Sequence, residues 1–287
     1  MLQMVRVRSV LVAAAMLFVG CDSVDFSGMI APTGDVVNTR FEKSMSLTGG
    51  NSVACIETSS SYQFYVGTDP HVGKTYANLQ SFIKKMCDDP SATFGVVLGD
   101  CTEIRGAMST YVQAIESSSD SDTPIFSLLG NHDLFFSGWD DYYKLLGPSV
   151  YWFEVSCGSC KDLFITLDTA SGTLGRRQME WFKGFLAGHR SNYRHCVILT
   201  HTNLFYTDNS QTGSGNLPME ETSVLTDLFS RHNVTLCLQG HDHTREDLTY
   251  GGVRYTIVGT LRDEVDNPEY LIVRLSDSGV EYLWQYL

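Results

Sequence analysis

The chain has 287 residues with 20 basic against 33 acidic side chains, a formal charge of −13. That length holds one large domain or two small ones, and no composition break or internal repeat marks a boundary. Such an acidic surface repels polyanions, which excludes a nucleic-acid groove; a phosphate ligand must be drawn by something local and strongly positive, as a metal pair would be.

At the amino terminus, Arg6 and Arg8 precede an apolar run of eleven residues, Val10 to Gly20. A bilayer span needs about 20 apolar residues, so this run reads as a signal-peptide core. Phe18-Val19-Gly20-Cys21 resembles a bacterial lipobox, in which Cys21 is lipidated and becomes the first mature residue. An ordinary secretory peptide with an incidental cysteine is the alternative. The expected organisation is a lipoprotein signal peptide over 1–20, a polar tether over 21–34 and one catalytic domain over 35–287. Removing residues 1–20 leaves 18 basic against 33 acidic residues. The expected location is the bacterial cell envelope, with membrane contact through the lipid anchor only.

From Ser61 the pattern becomes regular. Tyr62–Thr68 reads as a strand ending at Asp69-Pro70-His71, where two ligand types lie two residues apart. Val72, Tyr76, Leu79, Phe82, Ile83 and Met86 recur at helical spacing and stop before Pro90. Phe94–Leu98 is a buried strand ending at Gly99-Asp100. A helix from about Met108 to Glu116 leads to the strand Pro124–Leu129, which runs into Gly130-Asn131-His132-Asp133. There Asn131 offers a neutral oxygen, His132 a titratable nitrogen, and Asp133 a carboxylate expected behind that imidazole. Gly130 is expected to give a tight turn. Alternating strand and helix predicts parallel α/β pairing, with ligands at the carboxyl ends of the strands.

Tyr151–Val155 and Leu163–Asp168 read as a hairpin, followed by a helix with Met179, Phe182 and Leu186 on one face. His195–Thr200 ends at His201. The Asn-, Ser- and Gly-rich stretch Asp208–Asn216 is a candidate substrate loop, a plain surface loop being the alternative. A helix with Val224, Leu225, Leu228 and Phe229 precedes Val234–Leu238, which ends at Gly240-His241-Asp242-His243. Tyr255–Val258, Tyr270–Leu275 and Val280–Leu287 supply closing strands. Among the cysteines, Cys157 and Cys160 flank a turn and predict a small disulfide loop in an exported protein, whereas Cys101, Cys196 and Cys237 read as core.

Five blocks, Asp-x-His, Gly-Asp, Gly-Asn-His-Asp, a lone histidine after a strand, and Gly-His-x-His, stand in this order and resemble the calcineurin-like metallophosphoesterase superfamily. The spacings, 31 residues from Asp69 to Asp100, 31 to Asn131, 70 to His201 and 40 to His241, look closest to its small phosphodiesterase branch. The resemblance covers about Tyr62 to Leu287. It implies an α/β fold, a four-layer sandwich of two mixed β-sheets flanked by α-helices. It also implies that Asp69, His71 and His243 hold one metal, that Asn131, His201 and His241 hold the other, and that Asp100 bridges them. Mixed carboxylate and imidazole ligands without thiolate suit two divalent ions, Mn, Fe or Zn. Such a pair, about 3.5–4 Å apart, can hold a bridging hydroxide nucleophile and clamp a phosphoryl group. His132 would be the general acid, with Asp133 fixing its tautomer. His189, His195 and His232 fall outside every block, and Asp168 and Asp242 read as supporting residues.

Three departures bear on substrate. Gly99-Asp100-Cys101-Thr102-Glu103-Ile104-Arg105 lacks the tyrosine of purple acid phosphatases, and it has Glu103-Ile104 where Ser/Thr protein phosphatases have aspartate-arginine. His201 is followed by Thr202-Asn203, without the proline common there. The expected function is metal-dependent hydrolysis of a small phosphate ester, a phosphodiester ahead of a monoester. The alternatives are a phosphomonoesterase, or a lipid-anchored module that binds a phosphorylated ligand without turnover.

Overall fold

A computed structural model describes residues 33–118, 122–205 and 217–287. Cys21, the signal segment, most of the tether and the stretch 208–216 lie outside the described residues. Two mixed sheets face each other. The five-stranded sheet has the order β12-β11-β2-β3-β4, from β2 (Tyr62–Gly67), β3 (Ala92–Val97), β4 (Ile125–Ser127), β11 (Glu269–Ser276) and β12 (Gly279–Tyr286). Within it β2, β3 and β4 run parallel, and β11 and β12 close it antiparallel.

The seven-stranded sheet has the order β1-β5-β6-β7-β8-β10-β9. Its strands are β1 (Cys55–Thr58), β5 (Tyr151–Cys157), β6 (Cys160–Thr166), β7 (Cys196–Leu199), β8 (Leu236–Gln239), β9 (Glu246–Tyr250) and β10 (Val253–Ile257). Every residue of β2, β7 and β8 is buried, because one face meets the other sheet and the opposite face meets helices. Between the sheets the rings interlock: Phe126 stacks on Phe153 at 3.9 Å, and Phe94 meets Phe164 edge-on at 5.2 Å. Helices α2 (Ala77–Cys87), α3 (Met108–Ser118) and α4 (Gly138–Leu145) cover the five-stranded sheet, and α5 (Gly175–His189) and α6 (Met219–Arg231) cover the other. The expected sandwich of two mixed sheets between helices is what forms.

Four local readings are corrected. Val72 does not begin a helix: it makes a parallel bridge to Thr102, and α2 starts only at Ala77, its first two amides capped by Asp263 at 3.0 and 2.8 Å. Cys157 and Cys160 are free thiols. Cys157 is directed into the intersheet core with its Sγ 3.8 Å from Asp162, while the Cys160 Sγ donates to the Cys157 carbonyl at 3.0 Å, so the two sulfurs do not meet. Helix α1 (Thr33–Thr48) begins two residues inside the expected tether. It belongs to the domain: Arg40 is buried against Asp168, with Nε to Oδ2 at 2.7 Å and Nη2 to Oδ1 at 3.0 Å, and Phe41 packs on Trp181 at 5.8 Å. Finally, Gly130 has no positive φ; a Cβ there would meet the Asp100 amide nitrogen at 2.1 Å, so the glycine serves close approach and not a turn.

Candidate metal centre

All five blocks lie where strands of both sheets end along one edge. Asp69 and His71 follow β2, Asp100 follows β3, Asn131 and His132 follow β4, His201 follows β7, and His241 and His243 follow β8. The loops after β2 and β3 are joined by backbone bonds, Asp69 N to Gly99 O at 3.1 Å, His71 N to Asp100 O at 3.0 Å and Val72 N to Cys101 O at 3.0 Å. Within this frame Asp69, His71, Asp100, His201 and His241 are buried, with His243 partly covered.

Two clusters share one carboxylate. Asp69, His71, Asp100 and His243 form the first, and Asp100, His201 and His241 form the second, each with its ligand atoms within 4.8 Å of one another. Asn131 Oδ1 joins the second, 3.0 Å from His201 Nε2 and 2.9 Å from His241 Nδ1. Every metal ligand expected from the resemblance is therefore brought into one place, with Asp100 between the two groups. The Cys101 thiol turns away to the Leu128 carbonyl at 3.6 Å, so the donors are nitrogen and oxygen alone.

The arrangement of lone pairs fits cations. His201 Nδ1 lies 2.9 Å from the Leu98 carbonyl, to which it donates, which leaves Nε2 as the nitrogen that carries either the exchangeable proton or a metal. That Nε2 faces two oxygens, Asn131 Oδ1 and Asp100 Oδ1, the latter at 3.3 Å. His71 Nδ1 donates to Glu103 Oε2 at 2.6 Å, and its Nε2 then faces His243 Nε2 at 3.1 Å. Asp69 Oδ1 is buried with no hydrogen-bond partner, although His243 Nε2 is 3.3 Å away. Acceptors converging in this way require a proton or a metal between them. The electrostatics agree. Burial would raise Asp69 and Asp100, but the surrounding histidines outweigh it and hold both carboxyls below the usual range. Burial would lower His201, yet Asp100 and then Asp69 push it up to about 9. Burial and the adjacent His201 push His241 down to about 4.

His132 sits at the mouth, a quarter exposed, its ring edge-on to His71 at 4.6 Å and its Nε2 3.9 Å from Asp100 Oδ2. Here the sequence reading is corrected. Asp133 is not behind His132: its buried carboxylate accepts from the amides of Gly130 at 2.9 Å, Cys101 at 3.2 Å and Thr102 at 3.0 Å, and so ties the Gly-Asn-His loop to the Gly-Asp loop. The carboxylate facing His132 is Glu103, whose Oε2 lies 3.2 Å from His132 Nδ1. The approach is off-line and makes no hydrogen bond, and the same oxygen accepts from His71. Contacts with His132 and His71 hold Glu103 well below the usual carboxylate range, while Glu103 and Asp100 together outweigh burial to raise His132. Sequence reasoning passed over Glu103 as a departure from a family pattern; its position three residues after Asp100 was the available signal. Asp168 pairs with Arg40 and Asp242 accepts from Asn203 at 2.7 Å, so both support the walls of the site.

Comparison with known proteins is consistent with this geometry. The model of the calcineurin-like phosphoesterase family matches residues 62–245. No curated protein is similar enough in sequence to match. Among solved structures, the chain is similar to the anchor in the inner membrane complex of Plasmodium (13% identity, TM-score 0.63, covering 79% of this chain and 85% of that one). It is also similar to a dimetal phosphatase from Danio rerio (13%, TM-score 0.58, 78% and 98%) and to the purple acid phosphatase PPD1 of yellow lupin (17%, TM-score 0.60, 78% and 52%). At such identities these structures bear on the fold alone. With the family model spanning more than half of its length and all five blocks converging on one edge, the chain belongs to the calcineurin-like phosphoesterase family.

Proposed function

We propose that the protein hydrolyses phosphate esters with two divalent metal ions, phosphodiesters ahead of monoesters. The observation that carries this reading is Asp100, shared by two ligand clusters beside a histidine whose Nδ1 lies 3.2 Å from a Glu103 carboxylate oxygen. Asp69, His71 and His243 would hold one ion and Asn131, His201 and His241 the other, with Asp100 serving both through its two oxygens. Bound there, the ions would supply an activated water and offset the charge of the phosphoryl oxygens. His71 and His201 are kept in the ligating tautomer by Glu103 and the Leu98 carbonyl. His132 protonates the departing alkoxide as the ester P–O bond breaks, and Glu103 stabilises its charged imidazolium. The His132–Glu103 pair supports an enzyme over a binding module, which has no use for an acid. The block spacings, and the absence of the aspartate-arginine pair of monoester-cleaving relatives, support a diester.

Turnover of bis-p-nitrophenyl phosphate and p-nitrophenyl phosphate with Mn²⁺ tests this. A higher specificity constant for the monoester reverses the order, and full metal loading with no turnover of either ester replaces the enzyme by the binding module. We also propose lipid anchoring at Cys21 in the cell envelope. Cys21→Ser should release the protein into a soluble fraction, and continued full partition with membranes would remove the anchor from the reading.

A further inference from the structure

The two nitrogens of His132 have different surroundings. Nε2 is the one 3.9 Å from Asp100 Oδ2, toward the metal centre. Nδ1 is shielded from solvent and makes no hydrogen bond, although Glu103 Oε2 is 3.2 Å away. The same oxygen accepts from His71 Nδ1 at 2.6 Å. These two separations differ in kind. The shorter is a hydrogen bond, and it holds Glu103 in place. The longer is what two ligands of one ion show: at about 2.0–2.2 Å from zinc, with angles between octahedral and tetrahedral, a nitrogen and an oxygen stand about 2.9–3.4 Å apart. Such an ion sits about 40° off the line between its ligands, in keeping with an approach that misses as a hydrogen bond.

Space and charge agree. Glu103 and His132 line a recess of about 10 Å³, room for about one water or one ion and for no organic group. Its wall also carries Asp133 and Asp141, with the exposed Arg105 as the one base among the lining residues. Asp133 is committed to three backbone amides, so Glu103 and Asp141 are the acids left to meet a cation. His71 completes a cluster with Glu103 and His132 whose ligand atoms lie within 4.8 Å of one another, but its Nδ1 carries the proton given to Glu103 and is no ligand here.

We infer that His132 Nδ1 and the Glu103 carboxylate form a third cation site, selective for Zn²⁺ over Mn²⁺, whose occupation switches off the general acid. Imidazole with carboxylate binds zinc more tightly than manganese. In the step, zinc takes the Nδ1 lone pair, and the proton that made the imidazole an imidazolium leaves to solvent. The Nε2–H that remains belongs to a metal-bound neutral imidazole, a far weaker acid. The dinuclear centre keeps its own ligands, so zinc that serves hydrolysis when scarce arrests it when abundant. This regulation rests on the proposed hydrolysis, whereas the binding does not.

The full chain, loaded with two equivalents of Zn²⁺, is dialysed against rising free Zn²⁺ and its bound metal counted by elemental analysis. A third equivalent should bind the parent. It should be weakened at least about tenfold in both His132→Ala and Glu103→Gln, since even a group that only orients a ligand is worth about 10–100-fold in affinity. In the parent, that third equivalent should cut turnover of an alkyl diester by at least about tenfold and that of bis-p-nitrophenyl phosphate by less than about twofold. No third equivalent at saturating Zn²⁺ overturns the site, and so does a third equivalent held as tightly by His132→Ala, which is then an adventitious surface ion. Equal losses for both esters overturn the link to the acid. A chain that holds two equivalents and turns over neither ester removes the hydrolysis and with it the switch, while the binding counts still decide the site.

Discussion

Replacing Glu103 by glutamine separates proton transfer from metal binding, because one carboxylate oxygen touches both His71 and His132. The His132 Nδ1 to Glu103 Oε2 distance is 3.2 Å. At that separation a charge pair is worth about 1 kcal/mol in water and about 5 kcal/mol at an effective dielectric of about 20. The Glu103 and His132 side chains are 36% and 25% exposed, so solvent screening places the pair near the lower end, about 2 kcal/mol. An energy of about 2 kcal/mol is roughly a 30-fold factor. Glu103 raises His132, so the acid form is present below its pKa and is lost as pH rises through it. Glu103→Gln should therefore shift the alkaline fall of alkyl-ester turnover to lower pH and cost up to about 30-fold above the parent pKa. Esters of p-nitrophenol, whose phenolate leaves without a proton, should lose much less. An amide oxygen can still accept from His71, so metal affinity should fall only about tenfold, and saturating Mn²⁺ should refill the site. The assay is a pH–rate profile for one alkyl and one aryl diester, with metal content measured on the same samples. Equal losses for both esters at full metal occupancy, or an alkaline limb that stays in place, would falsify the pairing of Glu103 with the acid.

Asp100→Ala should empty or scramble both metal positions and abolish hydrolysis while circular dichroism stays near the parent; two equivalents of metal retained per chain by elemental analysis would refute a shared ligand. His132→Ala should keep both metals and lose about 10²–10⁴ in rate toward alkyl esters but far less toward p-nitrophenyl esters, and an equal loss across the series would make His132 a substrate-orienting group. His201, pushed up to about 9 without metal, must release its proton when metal binds, so calorimetry near pH 7.5 in buffers of different ionisation enthalpy should report about one proton released on loading. Arg40→Ala strands Asp168 in the core and should destabilise the domain by about 3–5 kcal/mol in urea titration, with a loss under about 1 kcal/mol showing that the pair is not a clamp.

How much was readable beforehand follows from the range of the forces. Apolar runs such as Phe94–Leu98 and His195–Thr200 identify strands because burial on both faces acts on every residue, and a ligand follows each run within two residues. Helix α1 escaped notice because what holds it is distant: Arg40 meets Asp168, and Ser44 accepts from the Ser149 amide at 3.0 Å, both more than a hundred residues away. Val72 was misread because its apolar side chain fits helical spacing with Leu79 and Phe82, while its backbone bridges Thr102. Adjacency in sequence made Asp133 the expected partner of His132. Adjacency in space favours Glu103, because Asp133 is occupied by three backbone amides.

The backbone at the centre explains why its ligands fall at strand ends. Seven non-glycine residues among those described have positive φ, and Asp69, His71, Asp100, His241 and His243 are five of them. Each such conformation costs on the order of 1–3 kcal/mol, so it persists only where the surroundings over-determine it. Here they do. Asp69-Pro70-His71, with φ of 51° and 45° at its ends, and His241-Asp242-His243, with 74° and 57°, are two copies of one device, left-handed residues flanking a spacer. Each sends two ligands inward, and the copies lock together, with the His241 amide donating to Asp69 Oδ2 at 2.9 Å. Gly240 permits the approach, since a Cβ there would meet Thr68 Oγ1 at 2.1 Å and Asp69 Oδ2 at 2.9 Å. The two histidine nitrogens that result face each other at 3.1 Å across Asp69 and Asp100. A metal bound to the folded chain alone stabilises it by mass action, and so offsets strain that the metal-free loops carry unaided.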